Sequence, residues 1–175
     1  MNFRIPAALL CFAAASAFAG SPEPAAPEAA ETPAAALGAW TADFGAARAL
    51  AAETGAPIFL NFTGSDWCHW CKLADRQVFS TPAWKNYAAS RLVTVFVDFP
   101  DEAPISDEQL LANEALASKY SVTGFPTFLL LASDGETVLG RFGISRDETF
   151  MSFAAKIEKL LAAPGSIEPP VVNRD

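Results

Sequence analysis

Two short segments, 58–63 and 92–97, are dominated by apolar side chains at consecutive rather than alternate positions. A strand with one wet face alternates apolar and polar residues, so strands apolar on both sides need cover on both faces. The chain is therefore expected to build an α/β fold, with a central sheet held between helices.

Signals for those helices stand in the intervening segments. Phe44, Ala47 and Ala51 share one helical face, with Thr41 in position to cap its start and Gly55 followed by Pro57 to stop it. Gly64-Ser65-Asp66 breaks the first strand and offers a cap for a helix from about Trp67 to Phe79. Ser80-Thr81-Pro82 interrupts that helix and restarts it with Pro at the first position. Ser106 and Gln109 form a capping-box pair for a helix reaching about Tyr120. Segments 127–131 and 137–142 flank Asp134-Gly135, a hairpin signal. A second box, Ser145 and Glu148, opens a helix in which Phe150, Phe153, Ala154, Ile157, Leu160 and Leu161 follow the helical period. The order helix, strand, helix, strand, helix, strand, strand, helix predicts a mixed sheet with helices on both faces, its strand order left open.

The ends read differently. Residues 1–19 carry Arg4, an apolar run from Ile5 to Phe18 and the small-x-small triplet Ala17-Phe18-Ala19, the pattern of a signal peptide. The run is about 14 residues against the roughly 20 that span a bilayer. Export places the mature protein in the periplasm or outside the cell. Lipid attachment at Cys11 is disfavoured by the bulk of Leu10 before it. Residues 20–38 form a Pro/Ala-rich linker too poor in large apolar side chains to offset chain entropy. The foldable domain is 39–162, and 163–175 reads as a flexible tail.

Charge excludes one class of partner. Lys and Arg total 12 against 20 Asp and Glu, a net charge of -8, and no basic stripe offers itself to nucleic-acid phosphates. The 3 cysteines are too few to staple a scaffold. Signal cleavage removes Cys11 and leaves Cys68 and Cys71 as the only pair.

Cysteines at i and i+3 on a helical start lie on one face, where they can close a small disulfide or present two thiols together. Cys68 at the N-terminal end meets backbone N–H groups that favour its thiolate. A helix terminus contributes up to about 2 kcal/mol and one pKa unit is about 1.36 kcal/mol, enough to raise a thiol's reactive fraction at neutral pH from a few per cent to about half. Cys71, one turn further in, is expected to be the more buried, resolving thiol. The reaction is then thiolate attack on a substrate disulfide followed by displacement from the second cysteine, with no metal or organic cofactor. A structural Zn site lacks ligands, since His69 is the single histidine. Haem attachment fails because Lys72 follows Cys71. A Cu(I) carrier and a purely structural disulfide remain as alternatives.

Trp67-Cys68-x-x-Cys71-Lys72 after a buried strand, with Gly124-Phe125-Pro126-Thr127 leading into another, resembles the thioredoxin superfamily over about Trp40 to Leu161. The resemblance implies a thioredoxin-like fold, a cis Pro126 lying against the disulfide, and a Phe125 backbone that pairs with the bound substrate chain. The stretch 62–68 is similar to exported bacterial thioredoxin-like proteins and to the periplasmic C-terminal domain of the transmembrane carrier that supplies reductant. One position departs from the family. Asn61 stands where thioredoxin has a buried Asp, and an amide cannot take a proton. Asp66 is the nearest carboxylate in sequence and the candidate substitute, the bland alternative being a helix cap.

His69 is read as tuning the Cys68 thiolate or as an exposed imidazole, and Trp67 as part of a substrate surface, with Trp70 undecided. Lys72 and Arg76 read as solvated charges. The acidic stretch 98–108 is a solvated loop or a partner-recognition element. The expected protein is an exported, monomeric thiol-disulfide oxidoreductase of reductase character. Its expected partners are protein thiols or disulfides, a membrane electron donor is a further possible one, and nucleic acid is not among them.

Overall fold

Alternate residues of one central strand, β2 (Ile58–Thr63), face two different cores in the computed structural model, which describes residues 35–163. Ile58, Leu60 and Phe62 pack with Ala47 and Ala51 of the helix α1 (Phe44–Thr54). Phe59 points the other way, onto Ala74, Val78 and Phe79. This period-2 division of an apolar strand is what double cover requires.

The remaining elements follow from the same logic. The helix α2 (His69–Ala74) runs directly into a π-helical turn, Asp75–Phe79, whose wide hydrogen bond from the Ser80 N–H reaches the Asp75 carbonyl at 2.8 Å. Thr81 then caps α3 (Pro82–Arg91), with proline in its first turn. The strand β3 (Val93–Asp98) leads to α4 (Asp107–Lys119), capped by Ser106. β4 (Thr127–Leu131) and β5 (Val138–Phe142) form the hairpin around Asp134, whose carboxylate takes the N–H groups of Glu136 and Thr137 at 2.9 Å each. The chain closes with α5 (Phe150–Ala162).

A further two-residue strand, β1 (Trp40–Thr41), joins the edge of the sheet, giving the order β1-β3-β2-β4-β5. β1 and β2 run parallel to β3, while β2 with β4 and β4 with β5 are antiparallel. The expected mixed sheet with helices on both faces is therefore present. The core on the face of α2, α3 and α5 is aromatic: Phe79 meets Phe128 edge-on at 5.6 Å, and Phe128 meets Phe153 at 5.1 Å. Such pairs add about 0.5–1.5 kcal/mol beyond area burial and hold the π turn and α5 against β4.

Several local readings shift. Thr41 belongs to β1, and Asp43 caps α1 by accepting from Ala46 N–H at 2.9 Å. Gly55 ends that helix as expected, at φ 72°, which favours glycine. The box that opens α5 is Thr149 with Ser152, four residues beyond the expected pair. Glu148 still takes the Ser145 N–H at 3.2 Å, half of the expected box, but it is buried ahead of the helix with its carboxylate on Lys156 at 2.5 Å. Gln109 turns its amide to Asn113 and the Ala42 carbonyl, so only the Ser106 half of the first box forms.

Leu37 packs against the α1 core and Gly38 donates to the Leu92 carbonyl at 2.8 Å, so the end of the expected linker is engaged with the sheet. The expected signal peptide, the rest of the linker up to residue 34 and the tail from 164 lie outside the described residues.

Candidate active site

β2 ends at Thr63, opposite Asp98 at the end of β3. That register brings the Asp98 carboxylate onto Ser65, which donates its N–H at 2.9 Å and its hydroxyl at 2.6 Å. The chain then turns tightly, the Cys68 N–H reaching the Gly64 carbonyl at 2.9 Å. Position 64 has no room for a side chain, because a Cβ there would run into the Trp67 indole. Cys68 itself is the cap of α2: its backbone is extended, and its sulfur accepts the Cys71 N–H at 3.2 Å. Neither Ser65 nor Asp66 fills that role.

Cys68 and Cys71 are joined as a disulfide, their Cα atoms 5.2 Å apart. The two are almost equally covered, at 6% and 5% exposed, so the expected contrast in burial is absent from the oxidised pair. Both sulfurs sit on one helical turn, with the Cys71 N–H aimed at the Cys68 sulfur.

Asp66 does not serve as the substitute base. Its carboxylate accepts the backbone N–H groups of Asp101, Glu102 and Ala103 at 3.0, 2.7 and 2.8 Å. Those bonds hold its pKa at about 2, so it stays ionised and is a poor proton acceptor. Its work is to tie the segment after β3 to the cysteine turn. The acidic stretch 98–108 is thus partly anchored, at Asp98 by Ser65 and at 101–103 by Asp66.

Trp67, next to Cys68 in the chain, belongs to an aromatic group drawn from three segments. Trp67 is 47% exposed, donates its indole N–H to the Phe99 carbonyl at 2.8 Å, and sets its ring edge-on to Phe125 at 5.9 Å. Phe99 stacks on Phe125 at 5.1 Å. The Phe125-Pro126 peptide bond is cis, as the resemblance implied. Phe99 escaped the sequence reading, since nothing local in a loop marks a residue that reaches Phe125 across the fold.

His69 is exposed and turned edge-on to Trp70 at 6.0 Å. Trp70 is half-buried against the aromatic core, with the Arg146 guanidinium 5.7 Å over its ring. Lys72 is not merely a solvated charge: its ammonium donates to the Asp66 carbonyl at 2.5 Å.

Behind Cys71, between α2 and the sheet, is a cavity of about 280 Å³. Asn61 lines it from β2, 3% exposed, with its side-chain oxygen lacking a hydrogen-bond partner. Asp75, which the sequence reading did not single out, lines the same cavity from the π turn. Among the described residues no three His, Cys, Asp or Glu side chains group as a metal site.

The profile of a family described as Thioredoxin-like matches residues 39–133. The disulfide bond reductase DsbH of Chlamydia pneumoniae is 40% identical over 87 residues, which are 50% of this chain and 52% of that protein. The thioredoxin-related protein DsbJ of the same organism is 27% identical over 106 residues, 59% of this chain and 30% of that one. The match thus spans about half the length of the first of these curated relatives and less of the second. A solved DsbH oxidoreductase superposes with a TM-score of 0.65 at 31% identity, covering 81% of this chain and 95% of that one. A thioredoxin from Thermus thermophilus, at TM-score 0.53 and 22% identity over 73% of this chain and 89% of its own, shares the fold.

Proposed function

This chain belongs to the thioredoxin-like family, and from that membership we propose that it reduces protein disulfides, with Cys68 as nucleophile and Cys71 as resolving thiol. The observation that carries the reading is the Cys68–Cys71 disulfide at the start of α2, with the Cys71 N–H on the Cys68 sulfur.

In the reduced protein that N–H and the helix start favour a thiolate at Cys68. The thiolate attacks one sulfur of a substrate disulfide; a Cys68–substrate bond forms and the other substrate sulfur leaves as a thiolate. Cys71, once deprotonated, attacks the Cys68 sulfur, closing the internal disulfide and releasing the second substrate thiol. Two protein thiols are oxidised and one substrate disulfide is reduced, with no metal or organic group taking part.

Trp67, Phe99 and Phe125 supply an apolar surface beside the reacting bond, and the Phe125 backbone next to the cis proline offers a pairing edge for an extended substrate. The reducing direction is supported by the 40%-identical relative, named a disulfide bond reductase. Steady turnover then requires an electron donor, for which a membrane reductase is the fitting class. Export rests on the apolar run within residues 1–19. Among the described residues no helix is long and apolar enough to cross a membrane.

The test is insulin reduction with recycling of the thiols. Cys68→Ser abolishes turnover, whereas Cys71→Ser traps mixed disulfides with substrate. Equal activity in the two variants overturns the assignment. No observation favours the copper-carrier alternative.

A further inference from the structure

Resolution of the mixed disulfide needs a proton taken from Cys71, and the sheet carries an amide, Asn61, where an acid would do this directly. Asp66 is committed to backbone donors. The cavity behind Cys71 brings together the remaining groups. From the sheet it is lined by Trp40, Asn61, Thr63 and Phe96, none of which titrates. From the helical side the charged lining is Lys72, Asp75 and Arg76, so Asp75 is the one carboxylate among its lining residues. Asp75 lies one turn beyond Cys71, its N–H on the Cys71 carbonyl, a spacing that puts Cβ atoms about 5–6 Å apart on one face. It is exposed and its carboxylate accepts the Ser80 hydroxyl at 3.1 Å, so the cavity connects Cys71 to an acid in contact with solvent. The space admits several waters at about 30 Å³ each, and the unpartnered Asn61 oxygen is a fixed acceptor for one of them.

We propose that this cavity is the proton route of Cys71, with Asp75 as the proton acceptor and the Asn61 side-chain oxygen holding the relaying water. The inference rests on the thiol–disulfide exchange reading above. After Cys68 has bonded to substrate, the Cys71 S–H passes its proton through water to the Asp75 carboxylate. The resulting thiolate attacks the Cys68 sulfur, the Cys68–substrate bond breaks, and the departing substrate thiolate is protonated at the expense of the Asp75 carboxyl. Lys72 and Arg76 favour the transient Cys71 anion. Asn61 is a positioning residue in this scheme, since it binds the water and takes no proton.

The experiment is single-turnover reduction of a chromophoric peptide disulfide by the full-length reduced protein, following formation and decay of the Cys68 mixed disulfide across pH. Asp75→Asn leaves the formation rate intact and slows decay by about 100-fold near neutral pH, the lower end of what a positioned acid–base group contributes. In that variant the decay rate climbs with pH as expected for unassisted thiol ionisation. Asp75→Glu restores the rate and profile, and so does Asn61→Asp placed in the Asp75→Asn background. Ser80→Ala, which removes the hydrogen bond and keeps the carboxylate, retains the wild-type profile. An unchanged decay rate and profile in Asp75→Asn overturns the proposal, as does a loss that Glu fails to rescue. Should Asn61→Asp not fold, the Asn and Glu variants at position 75 decide the question alone. Failure of the wild type to form any mixed disulfide overturns the exchange reading itself, and this inference with it.

Discussion

The Cys68 sulfur accepts the backbone N–H of Cys71 at 3.2 Å, so the residue proposed to attack substrate caps the helix turn that carries the residue proposed to release it. The contact is built by the helix start, where Cys68 stands as the cap of α2. Further along α2, Trp70 and Ala74 pack into the aromatic core.

One consequence is a reactivity gap between thiols that look equally buried when oxidised. In the reduced protein Cys68 is alkylated by iodoacetamide about tenfold faster than Cys71 at neutral pH, a factor that corresponds to about 1.4 kcal/mol of thiolate stabilisation. Mass spectrometry of singly alkylated protein reads the ratio. His69→Ala changes it little, since that ring is exposed and turned toward Trp70. Equal rates at the two sulfurs would contradict the capping argument.

Asp66 governs the order of the segment after β3. Its folded pKa, about 2, lies below the ordinary 3.8, so its contribution is complete above about pH 4 and is lost as pH falls through 2. Asp66→Ala exposes the amides of Asp101, Glu102 and Ala103 to hydrogen exchange while the protection of β2 and β3 is retained. In the wild type the same three amides lose protection on acidification over that window, ahead of the sheet.

The Trp67 ring depends on the bare backbone at Gly64. Gly64→Ala displaces the indole, breaking its hydrogen bond to Phe99 and its edge contact with Phe125. Trp67→Ala removes the same contacts directly. Both variants lower kcat/KM for a peptide disulfide by about 3- to 10-fold, the range of one aromatic contact, and act chiefly through KM. Retention of wild-type KM in Trp67→Ala would remove this ring from the substrate surface.

Glu148 is a structural acid. Its side chain is 1% exposed and receives Lys156 at 2.5 Å together with the hydroxyls of Ser145 and Ser152. Burial alone pushes its carboxyl up, but the Lys156 and Ser152 bonds outweigh that and hold it below the usual range. Glu148→Ala leaves the Lys156 ammonium without this partner and costs about 3 kcal/mol in urea denaturation at pH 7. The cost shrinks in acid, because a group with a lowered folded pKa stabilises above its unfolded value of 4.5 and loses that effect as pH falls through the folded one. Replacing both partners, Glu148→Leu with Lys156→Met, costs less than Glu148→Ala alone.

What could be read from residues alone was whatever a few neighbouring positions encode together. The apolar run 58–63, the Asp134-Gly135 hairpin, the Gly55 stop and the Thr81-Pro82 restart all stand where the pattern put them. The cysteine pair was legible because its motif is contiguous, whereas the cis bond at Pro126 was implied only by the family resemblance. Caps were less secure. Thr41 yielded to Asp43 and Ser145–Glu148 to Thr149–Ser152, since several polar residues near a helix start can each form the same bond and tertiary packing chooses among them.

The sequence by itself determined that a covered sheet would present two thiols at a helix start. Tertiary structure decided what surrounds them: Asp98 on Ser65, Asp66 on the 101–103 amides, Phe99 against Phe125, and Asn61, Cys71 and Asp75 around one cavity. The physical reason is range. Propensity and capping act within about one helical turn or one strand pair, whereas Ser65 and Asp98, 33 residues apart, meet only because β2 and β3 align Thr63 with Asp98, and a register is a property of the assembled sheet.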